Sequence, residues 1–394
     1  MLLEPVDPNE KFRARRRQAR HRRAIQRIAV LSVVALTAAG LTLGARFLTV
    51  RDTKRPASNA TADDTAPAKP KPQPRPYPVE MRGVHVTMAL ASLDGKIDEY
   101  LSLTGEGLNT LEVDVKDENG EVGFLRPAVQ LARETGAVRP YYDAREVALA
   151  AHERGVYLIA RIVVFEDPIL AEQRPALAIR TSDGGVWHNA AGLGWANPYD
   201  RRVWRYNVDL GEAAARAGFD EIQFDYVRFP TDGDVSAAVY PGKTRQRTTA
   251  VIADFVEYAA QRLKPLGARV SVDVFGLSAT RNMGIGQRPA ALAEHVDAIY
   301  PMVYPSHFGP GELGVPDPNA QPGRTVALAL RDFDVAMRGT DARLVPWLQD
   351  FTLGRTYTLA DVREQVQAAR DAGVEGFMLW NAEGVYTRAA LRGR

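Results

Sequence analysis

Asp225 stands inside an apolar run, GFDEIQFDYVRFPTDG (218–233), with Arg228 three residues beyond it. A carboxylate beside a cation stays charged, which suits a nucleophile or an electrostatic stabiliser. Side chains alternate along a strand. Gln223, Asp225 and Val227 therefore share one face, and the bulkier Ile222, Phe224 and Tyr226 share the other. A second run, SVDVFG (271–276), sets Asp273 on one face with Ser271 and Phe275. Two carboxylates on neighbouring strands can cleave a glycosidic bond: one protonates the departing oxygen, and the other attacks the sugar or activates water. Asp273, read as one pair lower in its strand, could instead be a supporting ligand for Arg228 or Arg161. Asp350, near the end of another apolar run, is the further acid to consider.

The elements that would position these groups recur from Met81 onward. A helical stretch ends near Gly, and a short β-rich run follows. The runs cover 82–89, 108–117, 156–165, 221–230, 269–276, 295–304, 343–351 and 376–382. Between them, DAREVALAAHERG and LADVREQVQAARDAG carry apolar residues at helical spacing. Gly107, Gly155, Gly218, Gly267 and Gly373 each fall just before a strand, where a left-handed C-cap is expected. Strands alternating with helices are parallel and buried on both faces. Eight such units predict a closed (β/α)8 barrel over 80–394, with a short final helix. Chemistry in such barrels sits at the C-terminal ends of the strands. That rule makes polar residues late in a strand the candidates.

Asp225 and Asp273 meet the rule, with Arg228 at the rim and Pro230 expected to stop the fourth strand. Strand two offers Asp114 and Lys116, and strand three offers Arg161. Strand six ends in YPMVYPSHF, so Tyr300 and Tyr304 are expected at the mouth; Trp347, Gln349, Trp380 and Asn381 come from strands seven and eight. Aromatic rings among acids and amides suit sugars, whose apolar ring faces stack while their hydroxyls hydrogen-bond. The long loop TSDGGVWHNAAGLGWANPYD (181–200) adds Trp187 and Trp195, either as sugar platforms or as pins for the loop itself.

The rest of the composition narrows the classes. The chain has 394 residues, 45% of them apolar, and a net charge of +2 that hides an uneven distribution. Residues 1–27 end in a strongly basic tail, KFRARRRQARHRRAIQR, expected to stay cytoplasmic. Residues 28–50 are apolar and long enough for a transmembrane signal-anchor, since roughly 18–20 apolar residues cross a bilayer. A cleaved secretory signal is the alternative, and either places the barrel outside the cytoplasm. Residues 51–79, rich in Pro with Lys and Arg, read as a semi-rigid extracytoplasmic linker. There is no Cys, and the six His form no HxH or HExxH pattern, so neither a metal nor another cofactor is expected. No phosphate loop and no aromatic-studded basic stripe mark the barrel, which argues against nucleotide or nucleic-acid partners.

GFDEIQFDYVRFPTDG, with LIARIVVFEDP, WANPYD, VDVFG and YPMVYPSHF, resembles an uncharacterised bacterial family of TIM-barrel, glycoside hydrolase-like domains that carry the FDYVRFP motif. The resemblance spans about 78–386 and implies a (β/α)8 fold and hydrolysis of O-glycosyl bonds. α-Amylase-like barrels place their catalytic Asp at the end of strand four, which corresponds to Asp225. Where they carry Arg two residues earlier this chain has Gln223, and where they carry an acidic Glu on strand five its nearest residue is Asp273. The expectation is a membrane-anchored, extracytoplasmic glycoside hydrolase acting on a cell-envelope or extracellular polysaccharide. The alternative is a barrel that binds glycan without cleaving it, in wall attachment or remodelling.

Overall fold

The computed structural model describes residues 73–124 and 129–392. The expected cytoplasmic tail, signal-anchor and most of the linker lie outside the described residues. No helix among the described residues is long and apolar enough to cross a membrane.

Eight parallel strands close into a barrel: β1 (Met81–Val86), β2 (Thr110–Lys116), β3 (Tyr157–Val163), β4 (Glu221–Asp225), β5 (Arg269–Phe275), β6 (Ala298–Met302), β7 (Trp347–Gln349) and β8 (Gly376–Trp380). Each pairs with the next in sequence, and β1 pairs with both β2 and β8, so no edge is left open. A two-residue strand, Arg343–Leu344, pairs with β6 just ahead of β7. Two short strands that the alternation does not announce, Val122–Phe124 and Val138–Tyr142, form an excursion after β2.

Amphipathic helices cover the barrel because each presents one apolar stripe to the strands. Ala144–Glu153 is capped by Asp143, whose carboxylate accepts from the Arg145 and Glu146 amides. Leu359–Asp371 begins in a capping box between Thr358 and Asp361. The five glycines expected to cap helices all have positive φ, between 70° and 112°. After β8 only a single 3-10 turn, Arg388–Ala390, completes the last unit.

Strand alternation sorts the apolar residues into two layers. Ile222 and Phe224 of β4, and Val272 and Val274 of β5, pack outward against the helices. Tyr157, Ile159, Tyr300, Trp347 and Met378 pack inward. Three details depart from the expected pattern. β4 stops at Asp225, well before Pro230, because Tyr226 adopts φ 50° and turns the chain out of the ladder. Val227 consequently joins the outer apolar layer. In β2 the register against β3 shifts between Asp114 and Lys116, a bulge that rotates Lys116 off the inner face.

The foot of the barrel is closed by Tyr77, which falls within the segment expected to be linker. Its ring lies 5.3 Å from Tyr157, with the Arg269 and Arg343 guanidinium groups 4.2 and 4.4 Å from its centre.

Closure of the barrel rests on Gly376, which pairs with Met81 at φ 139°. A Cβ there would sit 2.4 Å from the Met81 amide nitrogen and carbonyl oxygen. Gly373 also has positive φ, at 73°, but faces open space. In urea unfolding, Gly373→Ala is expected to cost about 1–2 kcal/mol, the price of a left-handed alanine. Gly376→Ala is expected to cost clearly more, since the seam must also open. Equal losses would show that the seam tolerates the methyl group.

Candidate active site

Strand alternation brings the polar residues of β1 to β5 together inside the upper barrel. His85 comes from β1, Glu112 and Asp114 from β2, Arg161 from β3, Gln223 and Asp225 from β4, and Asp273 from β5. All are buried. Charged groups stay buried only when paired, and here Arg161 does most of the pairing. Its Nε and Nη2 donate to Asp225 Oδ2 at 3.0 and 2.6 Å, and its Nη1 donates to Asp114 Oδ1 at 2.7 Å. The other Asp225 oxygen, Oδ1, accepts from the Tyr226 amide at 2.6 Å. The cation on Asp225 is therefore Arg161 and not Arg228, which the sequence placed nearer.

Below this pair, His85 Nδ1 lies 2.5 Å from Glu112 Oε2, and Nε2 lies 3.6 Å from Asp114 Oδ1. Burial opposes a charge on His85, but Asp114 and Glu112 outweigh it and push its pKa up to about 9. Burial likewise opposes charge on Asp114, yet His85 and Arg161 hold its carboxyl well below the usual range. Trp380 stacks on the His85 ring (centroids 4.4 Å apart, 27°), with Arg161 5.3 Å from its own centre.

Asp273 behaves differently. Its Oδ1 accepts from Gln223 Nε2 at 2.8 Å and from Trp347 Nε1 at 2.7 Å. Burial and the neighbouring charge of Asp225 push its pKa well above the ordinary value, with Arg161 and Trp347 opposing weakly. The ladder pairs Gln223 with Ser271 and Phe224 with Val272, so the next step sets Asp225 level with Asp273. Asp273 is thus not one pair lower than Asp225, as strand position alone suggests. One ion-paired carboxylate and one carboxyl whose pKa is raised, at the same height, can perform acid-base or nucleophilic chemistry on a bond between them. Tyr304 completes this side: its hydroxyl makes no hydrogen bond among the described residues, and burial followed by the charges of Asp273 and Asp225 raises its pKa.

The remaining expected residues lie elsewhere. The bulge turns Lys116 toward the helices, where it ion-pairs with Asp167 (2.6 Å) and donates to Asn207 Oδ1 (2.9 Å). Tyr300 reaches down toward the foot, its hydroxyl 3.5 Å from Met81 Sδ, and does not line the mouth. Asp350 accepts from Thr387 through both oxygens, from the amide and from Oγ1, each at 2.6 Å. Burial raises its pKa to about 6, but it serves to tie down the segment after β8. Asn381 donates to the Asp350 carbonyl at 2.5 Å, and Gln349 accepts from the Ser306 amide at 3.0 Å, so both organise loops. Trp187 is buried and donates to the Asp234 carbonyl, while Trp195 is buried beneath Arg228. Both pin the long loop. His85 and Glu112 escaped the sequence reading; the alternation in GVHV and LEVDV was the signal that could have found them. Two clefts, of about 400 and 550 Å³, open at the foot around Glu375 and Val374, away from these carboxylates.

Residues 83–386 fit the model of the family described as "Putative glycosyl hydrolase domain". The chain belongs to that glycosyl hydrolase family. Among solved structures it is similar to the glycoside hydrolase domain of PgaB (BpsB) from Bordetella bronchiseptica, with TM-score 0.58 and 13% identity, covering 80% of this chain and 100% of that one. It is also similar to the catalytic domain of β-amylase from Paenibacillus polymyxa, with TM-score 0.50 and 11% identity over 79% and 95% of the two chains. These two likenesses establish the barrel fold alone. A hypothetical protein from Ruminiclostridium thermocellum ATCC 27405 is 32% identical over 48% of this chain and 97% of its own, with TM-score 0.44. No curated protein matched the chain.

The His85 network makes stability pH-dependent. His85 holds its proton in the folded state up to about pH 9, against an ordinary value of 6.5. Its contribution is full below pH 6.5 and is lost as pH rises through 9, a change on the order of 3 kcal/mol. Urea unfolding at pH 6 and pH 9.5 should show this decline in the native protein and a smaller one in His85→Gln. An identical decline in both would assign the effect to other groups.

Proposed function

We propose that the barrel hydrolyses glycosidic bonds of a cell-envelope or extracellular polysaccharide by a two-carboxylate mechanism. The observation that carries this reading is the contrast between Asp225, ion-paired with Arg161, and Asp273, whose carboxyl is raised by burial and by Asp225. Asp273 protonates the departing oxygen as the bond breaks, and Asp225 stabilises or captures the positively charged sugar. Water then attacks, activated by the Asp273 carboxylate now lacking its proton. Arg161 stays bound to Asp225 throughout and keeps negative charge available where positive charge develops.

Adjacent strands lie about 4.8 Å apart, and the ladder sets the two Asp at one level. That spacing favours the roughly 5–5.5 Å carboxyl separation of retaining enzymes over the 6.5–9.5 Å of inverting ones. The expected product is a sugar released with its anomeric configuration retained, read by proton NMR in the first minutes of reaction. An inverted product would move Asp225 from nucleophile to base.

The basic tail, the apolar segment 28–50 and the Pro-rich linker support a single-pass anchor with the barrel outside the cytoplasm. Secretion is the alternative if that segment is cleaved.

Substitution separates the two roles. Asp225→Asn is expected to lower turnover by about 10²–10⁴-fold or more, with glycan binding retained. Asp273→Asn is expected to slow glycosides with poor leaving groups by a similar factor and to spare activated aryl glycosides, which need no acid. It should also remove the alkaline limb of the pH profile. Binding without turnover by the intact protein across a panel of envelope glycans would favour the non-cleaving reading.

A further inference from the structure

Four cationic side chains are buried among the described residues: His85, Lys116, Arg161 and Arg228. The first three face carboxylates: Glu112, Asp167, and Asp225 with Asp114, respectively. Arg228 faces none. It is only 6% exposed, and arginine is almost never buried without a partner. Its guanidinium lies instead among three rings, 5.0 Å from the centre of Trp195, 4.9 Å from Tyr226 and 4.7 Å from Phe275. Nη1 donates to the Phe229 carbonyl at 3.1 Å and to Thr231 Oγ1 at 3.4 Å. Nε and Nη2 donate to no protein group, and neither is among the fully enclosed polar atoms, so this edge meets solvent.

The position matters as much as the missing partner. Tyr226 directly follows Asp225, and Phe275 lies two residues past Asp273. Arg228 therefore packs on rings that follow the two carboxylates by one and two residues, at the ends of β4 and β5. The Nε–Nη2 edge of a guanidinium carries two parallel N–H donors, the fork that matches a carboxylate. The aromatic walls fix its plane and lower the local dielectric, which strengthens a pairing made there.

We propose that Arg228 is a subsite for a carboxylate carried by the glycan, so that the substrate is an acidic polysaccharide. This rests on the hydrolase reading above and adds the chemical class of substrate. Two sources share the chemistry: the C6 carboxylate of a hexuronic acid, and the lactyl ether carboxylate of a muramic acid.

The test measures binding of the full chain carrying Asp225→Asn, by calorimetry, to hexuronic acid oligosaccharides and to muramic acid-containing glycan strands. Each is compared with its carboxyl-reduced counterpart. At least one acidic probe should bind tenfold or more tightly than its reduced form, a preference that shrinks as salt is raised. The probe that shows it identifies the source. In Arg228→Gln the ratio should collapse toward one, and Arg228→Lys, which keeps charge without the fork, should retain part of it. Equal affinity for acidic and reduced probes overturns the proposal, whether or not the variants fold. So does a preference that persists in a folded Arg228→Gln protein. Turnover by the unsubstituted chain is assayed separately. Preference without turnover would leave the Arg228 subsite standing and remove the hydrolase reading, whereas turnover without preference would do the reverse.

Discussion

One guanidinium makes the rest of the upper barrel possible. Glu112, Asp114, Asp225 and Asp273 crowd a space shielded from water, where like charges repel far more strongly than they do in solution. Arg161 reaches across β2, β3 and β4 to bind two of them at once. His85 supplies a second positive charge beneath. With those two cations committed, further negative charge is unwelcome: burial first, and then the charge of Asp225, raise the pKa of the next carboxyl, Asp273. The contrast between Asp225 and Asp273 thus follows from burial and from how the few cations are shared among the carboxyls.

The barrel and the face on which its acids sit were legible because the period of a strand is two and these strands are buried on both sides. Ile222 and Phe224 face outward and Asp225 faces inward for that reason alone. Alternation failed where the backbone left the ladder. A one-residue bulge sends Lys116 into the helix layer, and the left-handed turn at Tyr226 ends β4 before Val227 can point inward. Neither event has a Gly or Pro at its site to announce it.

Pairing of charges was legible only as an inventory. Arg228 is three residues from Asp225 and Arg161 is sixty-four away, yet the distant one forms the pair. Barrel strands bring residues of equal height together regardless of separation along the chain, whereas a residue in a turn points where the turn sends it. The aromatic residues repeat the lesson. Trp187, Trp195 and Tyr300 all have the right type for stacking on a sugar, but ring type does not distinguish a platform from a pin. Trp347, which donates to Asp273, and Tyr304 and Trp380, which emerge where strands six and eight run out, are rings that stay beside the carboxylates.

Tyr226 holds a backbone conformation that bulky residues seldom adopt, and its amide is committed to Asp225 Oδ1. With Arg161 on the opposite oxygen, the carboxylate is held at both ends and has no rotamer left to search. The ordering cost is met once, during folding, and is not met again at each encounter with a glycan. A group fixed in this way cannot follow a substrate that arrives out of line. In the proposed reaction the sugar must adapt its ring and its linkage to Asp225, and selectivity for shape follows from a constraint that first serves to keep one side chain still.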